Sequence, residues 1–250
     1  MKRIVLILII GALATVSGFT QSEPDFQAIL NEIDEMQNFE DTDFSCTYRL
    51  VSEKPGEETS VTEVRIFRRD AEDKMLMLFL QPEVQRGQGY LRLGENVWFY
   101  DPESRQFAHS TMRENIQDSE ARNSDLSESS LSEDYEIISS EEGTLGRHDV
   151  WILTLEANND EVAYPVLKMW IRRDNNLLLM VEEYSLSERL LRTSVYPSYT
   201  QVGDHYIPSR MLFIDNLREG ERTQVSIGDI SLGEIPDNVF TKAYLERVSR

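Results

Sequence analysis

Three histidines, His109, His148 and His205, and one cysteine, Cys46, are the side chains of this 250-residue chain best suited to nucleophilic, proton-transfer or metal-binding chemistry near neutral pH. They lie far apart in sequence, and each histidine reads as a surface or turn residue. There is no metalloprotease pair of histidines, no Gly-x-Ser-x-Gly nucleophile elbow, no phosphate loop and no dinucleotide fingerprint. A single cysteine excludes an intrachain disulfide framework and a cysteine-based zinc site. Carboxylates number 45, so the closeness of any two in sequence carries no weight as a general acid and base. No catalytic or metal-binding residue is assigned, and no cofactor is expected. The formal net charge of −20 sets the surface against nucleic acid and anionic headgroups, and its plainest role is to maintain solubility.

The informative residues are apolar. Met75, Met77, Met169, Met180 and Met211 fall on predicted strands beside Phe67, Phe79, Trp98, Phe99, Tyr100, Trp151 and Trp170. Methionine is unbranched and polarizable, which suits a cavity for flexible chains, and ordinary core filling explains the same residues. The candidate lipid-binding wall is Phe67, Met75, Met77, Phe79, Leu91, Trp98, Tyr100, Trp151, Leu153, Met169 and Trp170. Strand alternation prevents all of these from pointing one way: Trp98 and Tyr100 share a face opposite Phe99, and Met75 and Met77 share one with Phe79.

The elements that must position them follow from periodicity. Phe26, Ile29, Leu30, Ile33 and Met36 recur at helical spacing. Beyond them the period becomes two. Residues 44–51 and 61–68 flank Pro55-Gly56 as a hairpin, and further strands are predicted at 75–80, 89–93, 97–100, 135–139, 150–155, 166–172, 177–184, 190–196, 211–216 and 224–230. Turn signals include Pro82, Gly94, Gly143 and Gly203-Asp204. The fold class is mainly β with a few helices: a large antiparallel sheet that must curl, with a helix over one face. Residues 103–134 break the pattern, being long, polar and rich in Ser and Glu. A short helix is predicted to start at Asp125, and the segment is expected to form a cover joined to the sheet only at its ends.

At the N-terminus, Met1-Lys2-Arg3, an apolar run from Ile4 and small residues at Val16-Ser17-Gly18 predict a secretory signal peptide over residues 1–18, with one domain over 19–250. Cys46, the only cysteine, lies far from the cleavage point, so the mature protein is expected to be unlipidated and soluble in the periplasm.

The stretch Gly87-Gln88-Gly89-Tyr90-Leu91-Arg92-Leu93-Gly94-Glu95-Asn96-Val97-Trp98-Phe99-Tyr100-Asp101-Pro102, with Gln106 following, resembles the outer-membrane lipoprotein-sorting family, the periplasmic carriers related to LolA. Phe79-Leu80-Gln81-Pro82, Ser124-Asp125-Leu126, Asp134-Tyr135, and Ile235-Pro236-Asp237-Asn238-Val239-Phe240-Thr241 with Leu245 are similar to a branch of larger members. The resemblance implies a strongly curved, half-closed antiparallel barrel with a helical lid over an apolar cavity. It also implies a carrier of acyl chains whose partners are an acylated lipoprotein or lipid, an inner-membrane transporter and an outer-membrane acceptor. An envelope sensor on the same fold, or less plainly an enzyme acting on a lipid, stands as the alternative. In the carriers an arginine after an early strand contacts the lid. Arg69 is the positional match, with Arg68 as its rival, and Asp70 follows where the carriers have proline.

Overall fold

The structure is a computed structural model that describes residues 24–160 and 162–249; the expected signal peptide lies outside the described residues. Helix α1 (Phe26–Gln37) begins where the Asp25 carboxylate accepts a hydrogen bond from the Ala28 backbone N–H, satisfying a donor that the first turn leaves open. It buries Ile29, Leu30, Ile33 and Asp34 on one face, as the spacing predicts.

Thirteen strands then form one antiparallel sheet: β1 (Phe44–Glu53), β2 (Ser60–Arg69), β3 (Lys74–Gln81), β4 (Gly89–Leu93), β5 (Asn96–Asp101), β6 (Gln106–Ser110), β7 (Tyr135–Leu145), β8 (His148–Ala157), β9 (Val166–Arg172), β10 (Leu178–Tyr184), β11 (Leu190–Val202), β12 (His205–Asp215) and β13 (Arg222–Leu232). The spatial order is β6-β5-β4-β3-β2-β1-β13-β12-β11-β10-β9-β8-β7. First and last strands therefore pair in the middle, and the two free edges, β6 and β7, are consecutive in sequence. Pairing those edges would close a barrel; instead residues 111–134 run between them.

Three local readings are corrected. Strand β6 lies inside the stretch that composition marks as polar, because an edge strand with mostly exposed side chains carries no hydrophobic alternation. Gly143 is a strand residue and not a turn: a Cβ there would meet Ile152 Cδ1 at 2.6 Å, so glycine serves close packing, and the chain reverses after Leu145 at Gly146, whose φ is +60°. The helix predicted from Asp125 is a single 3-10 turn (Asn123–Leu126), and helix α2 is the short Leu131–Asp134. The Asp125 carboxylate accepts from the Arg122 N–H within that turn and is engaged by Arg192, which holds it away from starting a longer helix.

Each face of the sheet has its own cover. On the inner face, α1 packs on β8–β10 and the 111–126 segment packs on β1–β5, β12 and β13. On the outer face, a 3-10 turn (Asp237–Phe240) and helix α3 (Lys242–Val248) lay Val239, Phe240 and Leu245 on Leu76, Leu91 and Tyr100.

Candidate functional site

The inner face is apolar from one arm of the sheet to the other. Val64, Ile66, Met75, Met77, Phe79, Met211, Phe213 and Val225 form one cluster, into which the crossing segment inserts Ile116, Ala121 and Leu126. Leu153, Leu155, Leu167, Met169, Ile171 and Val181 form the second, beneath α1, where Phe26 meets Trp151 edge to face at 5.4 Å. Tyr196 packs against both clusters, making them one continuous surface.

Polar contacts hold the cover down. Asp34, on the buried side of α1, accepts from Ser129 Oγ (2.5 Å) and from the backbone N–H groups of Leu131 (3.0 Å) and Ser132 (2.8 Å). The Asn38 side-chain amide donates to Ser129 O and accepts from Ser129 N, both at 2.7 Å. The Glu120 N–H donates to Thr223 Oγ1 (2.8 Å), and Gln117 donates to Gln88 (2.9 Å). The cover is thus pinned along its length, which corrects the expectation of attachment only at its ends.

The deepest of these contacts is ionic. Arg192 of β11 grips Asp125 with both terminal nitrogens (2.6 and 2.8 Å), donates to Glu120 O (3.0 Å) and pairs with Glu183 of β10 at 2.8 Å. Its guanidinium lies over the rings of Tyr164 and Phe213. Glu183 also accepts from Ser194 Oγ, yet its second oxygen and the Arg192 Nε have no partner among the described residues. Burial pushes the Glu183 carboxyl above the usual range, against the lowering pull of Arg192. Burial also opposes the Arg192 charge, but Asp125 and Glu183 outweigh it and keep the guanidinium protonated.

The predicted wall divides between the two faces. Strand register puts Met75, Met77 and Phe79 on the inner face, and Leu153 with Met169 likewise beneath α1, with Trp151 beside them. Phe67, Leu91, Trp98 and Tyr100 lie on the outer face, under the C-terminal cover. Trp170 pairs with Met180 and points away from Met169, with the Lys168 ammonium 5.5 Å from its ring centroid. Met75, Met77, Phe79, Leu153 and Met169 have no exposed surface, so in this closed arrangement they are packed core.

The arginine expectation is also corrected. Arg69 points outward, chelates Asp43 (2.9 and 2.9 Å), donates to Ile235 O (2.5 Å), contacts Asp237 and stacks on Phe240; it ties the C-terminal cover. Alternation turns its neighbour inward: Arg68 pairs with Asp70 (2.9 and 2.6 Å) and donates to Gln37 O at the end of α1 (3.2 Å). Asp70, standing where the carriers have proline, supplies that buried counter-charge.

The remaining candidates stand apart from this site. Burial pushes the Cys46 thiol up to about 12, so it is an inert core group. His109 lies by Trp98, His205 packs on Phe39, and His148 opens β8, on separate strands. Glu120, Asp215 and Glu221 bring oxygens within 4.8 Å of one another at the half-buried surface, an arrangement common among acidic groups without an ion. A pocket of about 270 Å³ lies outside the inner face; Glu40, Asp41, Asp43 and Glu234 make its lining acidic. The residues that sequence reasoning missed are Asp34, Glu183 and Arg192; the one available signal was a charge at an inward position, Glu183 two residues after Val181 and Arg192 two before Ser194.

One antiparallel sheet, open between consecutive strands and covered inside by helix and crossing segment, is the half-closed barrel of the LolA-like fold. It superposes on a LolA superfamily protein from Nitrosomonas europaea with a TM-score of 0.77 and 24% identity, covering 87% of this chain and 98% of that one. A domain from Vibrio parahaemolyticus described as outer membrane lipoprotein-sorting gives 0.76 at 22% identity, covering 88% and 98%. A DUF1329 family protein from Desulfovibrio piger gives 0.77 at 17% identity, covering 88% and 97%. Residues 71–247 match the model of a family described as "Uncharacterized protein", and the chain belongs to that family. No curated protein matches the sequence.

Proposed function

We propose that this protein is a periplasmic carrier or chaperone that holds acyl chains of lipoproteins or lipids against the inner face and passes them toward the outer membrane, without cofactor or covalent chemistry. The observation that supports this reading is the nature of the inner cover: a continuous apolar surface is shielded by chain that makes no strand pairing with the sheet. Moving that cover opens the apolar surface while leaving the strand ladder intact. Burial supplies the driving force. At about 0.8 kcal/mol per CH₂, one long acyl chain gains on the order of 10 kcal/mol, so no specific polar contact to the chain is required. Release then calls for an acceptor that buries the chain equally well, such as an outer-membrane receptor, and loading calls for an inner-membrane donor.

Protein purified from its own envelope is expected to carry acylated cargo in native mass spectra and lipid extracts, with the first residues removed and no covalent lipid. An empty protein that also fails to capture an acylated peptide in vitro would overturn the proposal.

A further inference from the structure

Residues 111–126 occupy the inner face in the manner of a ligand. Their apolar side chains Ile116, Ala121 and Leu126 lie in the core cluster, and a single carboxylate, Asp125, sits on a buried arginine. We propose that Arg192 is the anchor for an anionic headgroup of the acyl ligand, and that Asp125 holds this place in the closed protein. The inference rests on the inner face being the acyl site, and it adds the class of ligand: an amphiphile with a carboxylate or phosphate head.

The chemistry of the site supports an anion there. Arg192 comes from the sheet and stays when the crossing segment leaves, whereas Asp125 and the Glu120 carbonyl leave together. What remains is Glu183, which engages Nη2 alone at 2.8 Å and shares that oxygen with Ser194 Oγ, so Nη1 loses both of its partners and Nε has none among the described residues. The guanidinium then presents Nη1 between Tyr164 and Phe213 without an acceptor, and its fork fits a carboxylate or phosphate through two parallel hydrogen bonds, as it fits Asp125 in the closed protein. A neutral head offers no charged pair of oxygens in place of the two that Asp125 supplies. The overall charge of −20 works the other way, repelling anionic surfaces, so a preference for anionic lipid would have to come from a local site such as this.

The test incubates the mature protein with dispersions of equal parts dioleoyl phosphatidylglycerol and dioleoylglycerol, whose head carries no phosphate, and separately with an equimolar mixture of oleate and oleyl alcohol. Bound lipid is then quantified by mass spectrometry. The ratio of anionic to uncharged-head lipid is expected to exceed tenfold. Preference in the phospholipid arm alone assigns the anchor to phosphate, and in the oleate arm alone to carboxylate. In the paired variant Arg192→Met with Glu183→Gln, chosen so that no buried carboxylate is stranded, the ratio should fall to near one while total load persists. Asp125→Asn, nearly isosteric, should raise total load severalfold and keep the ratio. Equal loading of both lipids by the wild-type protein overturns the anchor and leaves the carrier reading standing. No loading of any lipid, even by Asp125→Asn, overturns both.

Discussion

The two covers of the sheet are built on different physics. The outer one, C-terminal, spreads Ile235, Val239, Phe240 and Leu245 over Leu76, Leu91 and Tyr100, and Arg69 clamps its start through Asp43 and Asp237. Within the inner one, the crossing segment spends a longer stretch of chain on three fully buried apolar side chains, Ile116, Ala121 and Leu126, and is held by hydrogen bonds to Asp34 and Asn38 at α1 and to Thr223 and Arg192 of the sheet. Apolar burial is lost outright when a cover lifts. Hydrogen bonds are exchanged with water at a net cost of about 1 kcal/mol each, or about 1.5–3 kcal/mol where a charged group such as Asp34 or Asp125 takes part. The outer cover is therefore the more firmly packed, and the crossing segment is the part suited to leave.

Truncation should separate the two most sharply. Phe240→Ala removes a fully packed ring from the outer cover and should lower unfolding free energy by about 3–5 kcal/mol in urea titrations, with lipid loading per folded molecule unchanged. Leu126→Ala in the inner cover should lower it by about 2–3 kcal/mol and increase loading, because the closed state alone loses the contact. Equal effects of both variants on loading would erase the distinction.

That distinction was only partly legible in the sequence. The antiparallel meander could be read because Val64 and Ile66, or Leu153 and Leu155, alternate with more exposed neighbours. The sidedness of β3–β5 could not. Both faces are covered there, so Met75, Leu76 and Met77 are all buried, and nothing in a continuous apolar run says that Met77 and Trp98 face opposite ways. The resemblance carried the open barrel, but its positional match Arg69 faces the outer cover while its rival Arg68 faces the end of α1, because one residue in a strand is the other face. The Arg192 site was hidden for another reason. Its carboxylate partner lies 67 residues away, in a segment whose many acidic residues give Asp125 no distinction.

Acid should act on the two regions with opposite sign. The hydrogen bonds from Arg69 hold the Asp43 carboxyl below its ordinary value of 3.8, so its contribution to stability is present above that value and is lost as pH falls through the depressed one. Burial holds Glu183 above its ordinary value of 4.5. Its contribution is fullest below 4.5 and is lost as pH rises through the raised value. Urea midpoints should therefore show Asp43→Asn costing most at neutral pH and least in acid, and Glu183→Gln gaining on the wild-type protein as pH rises. Parallel pH profiles for the two variants would contradict this assignment.

A reversible staple shows whether the crossing segment must leave for cargo to enter. In a Cys46→Ser background, Glu120→Cys and Thr223→Cys put a cysteine pair at the two residues joined by the 2.8 Å hydrogen bond from the cover's backbone N–H to the β13 hydroxyl. The oxidised protein, with the cover bound to the sheet, should capture no acylated peptide, and reduction should restore capture in the same sample. Equal capture by the oxidised and reduced forms would contradict it.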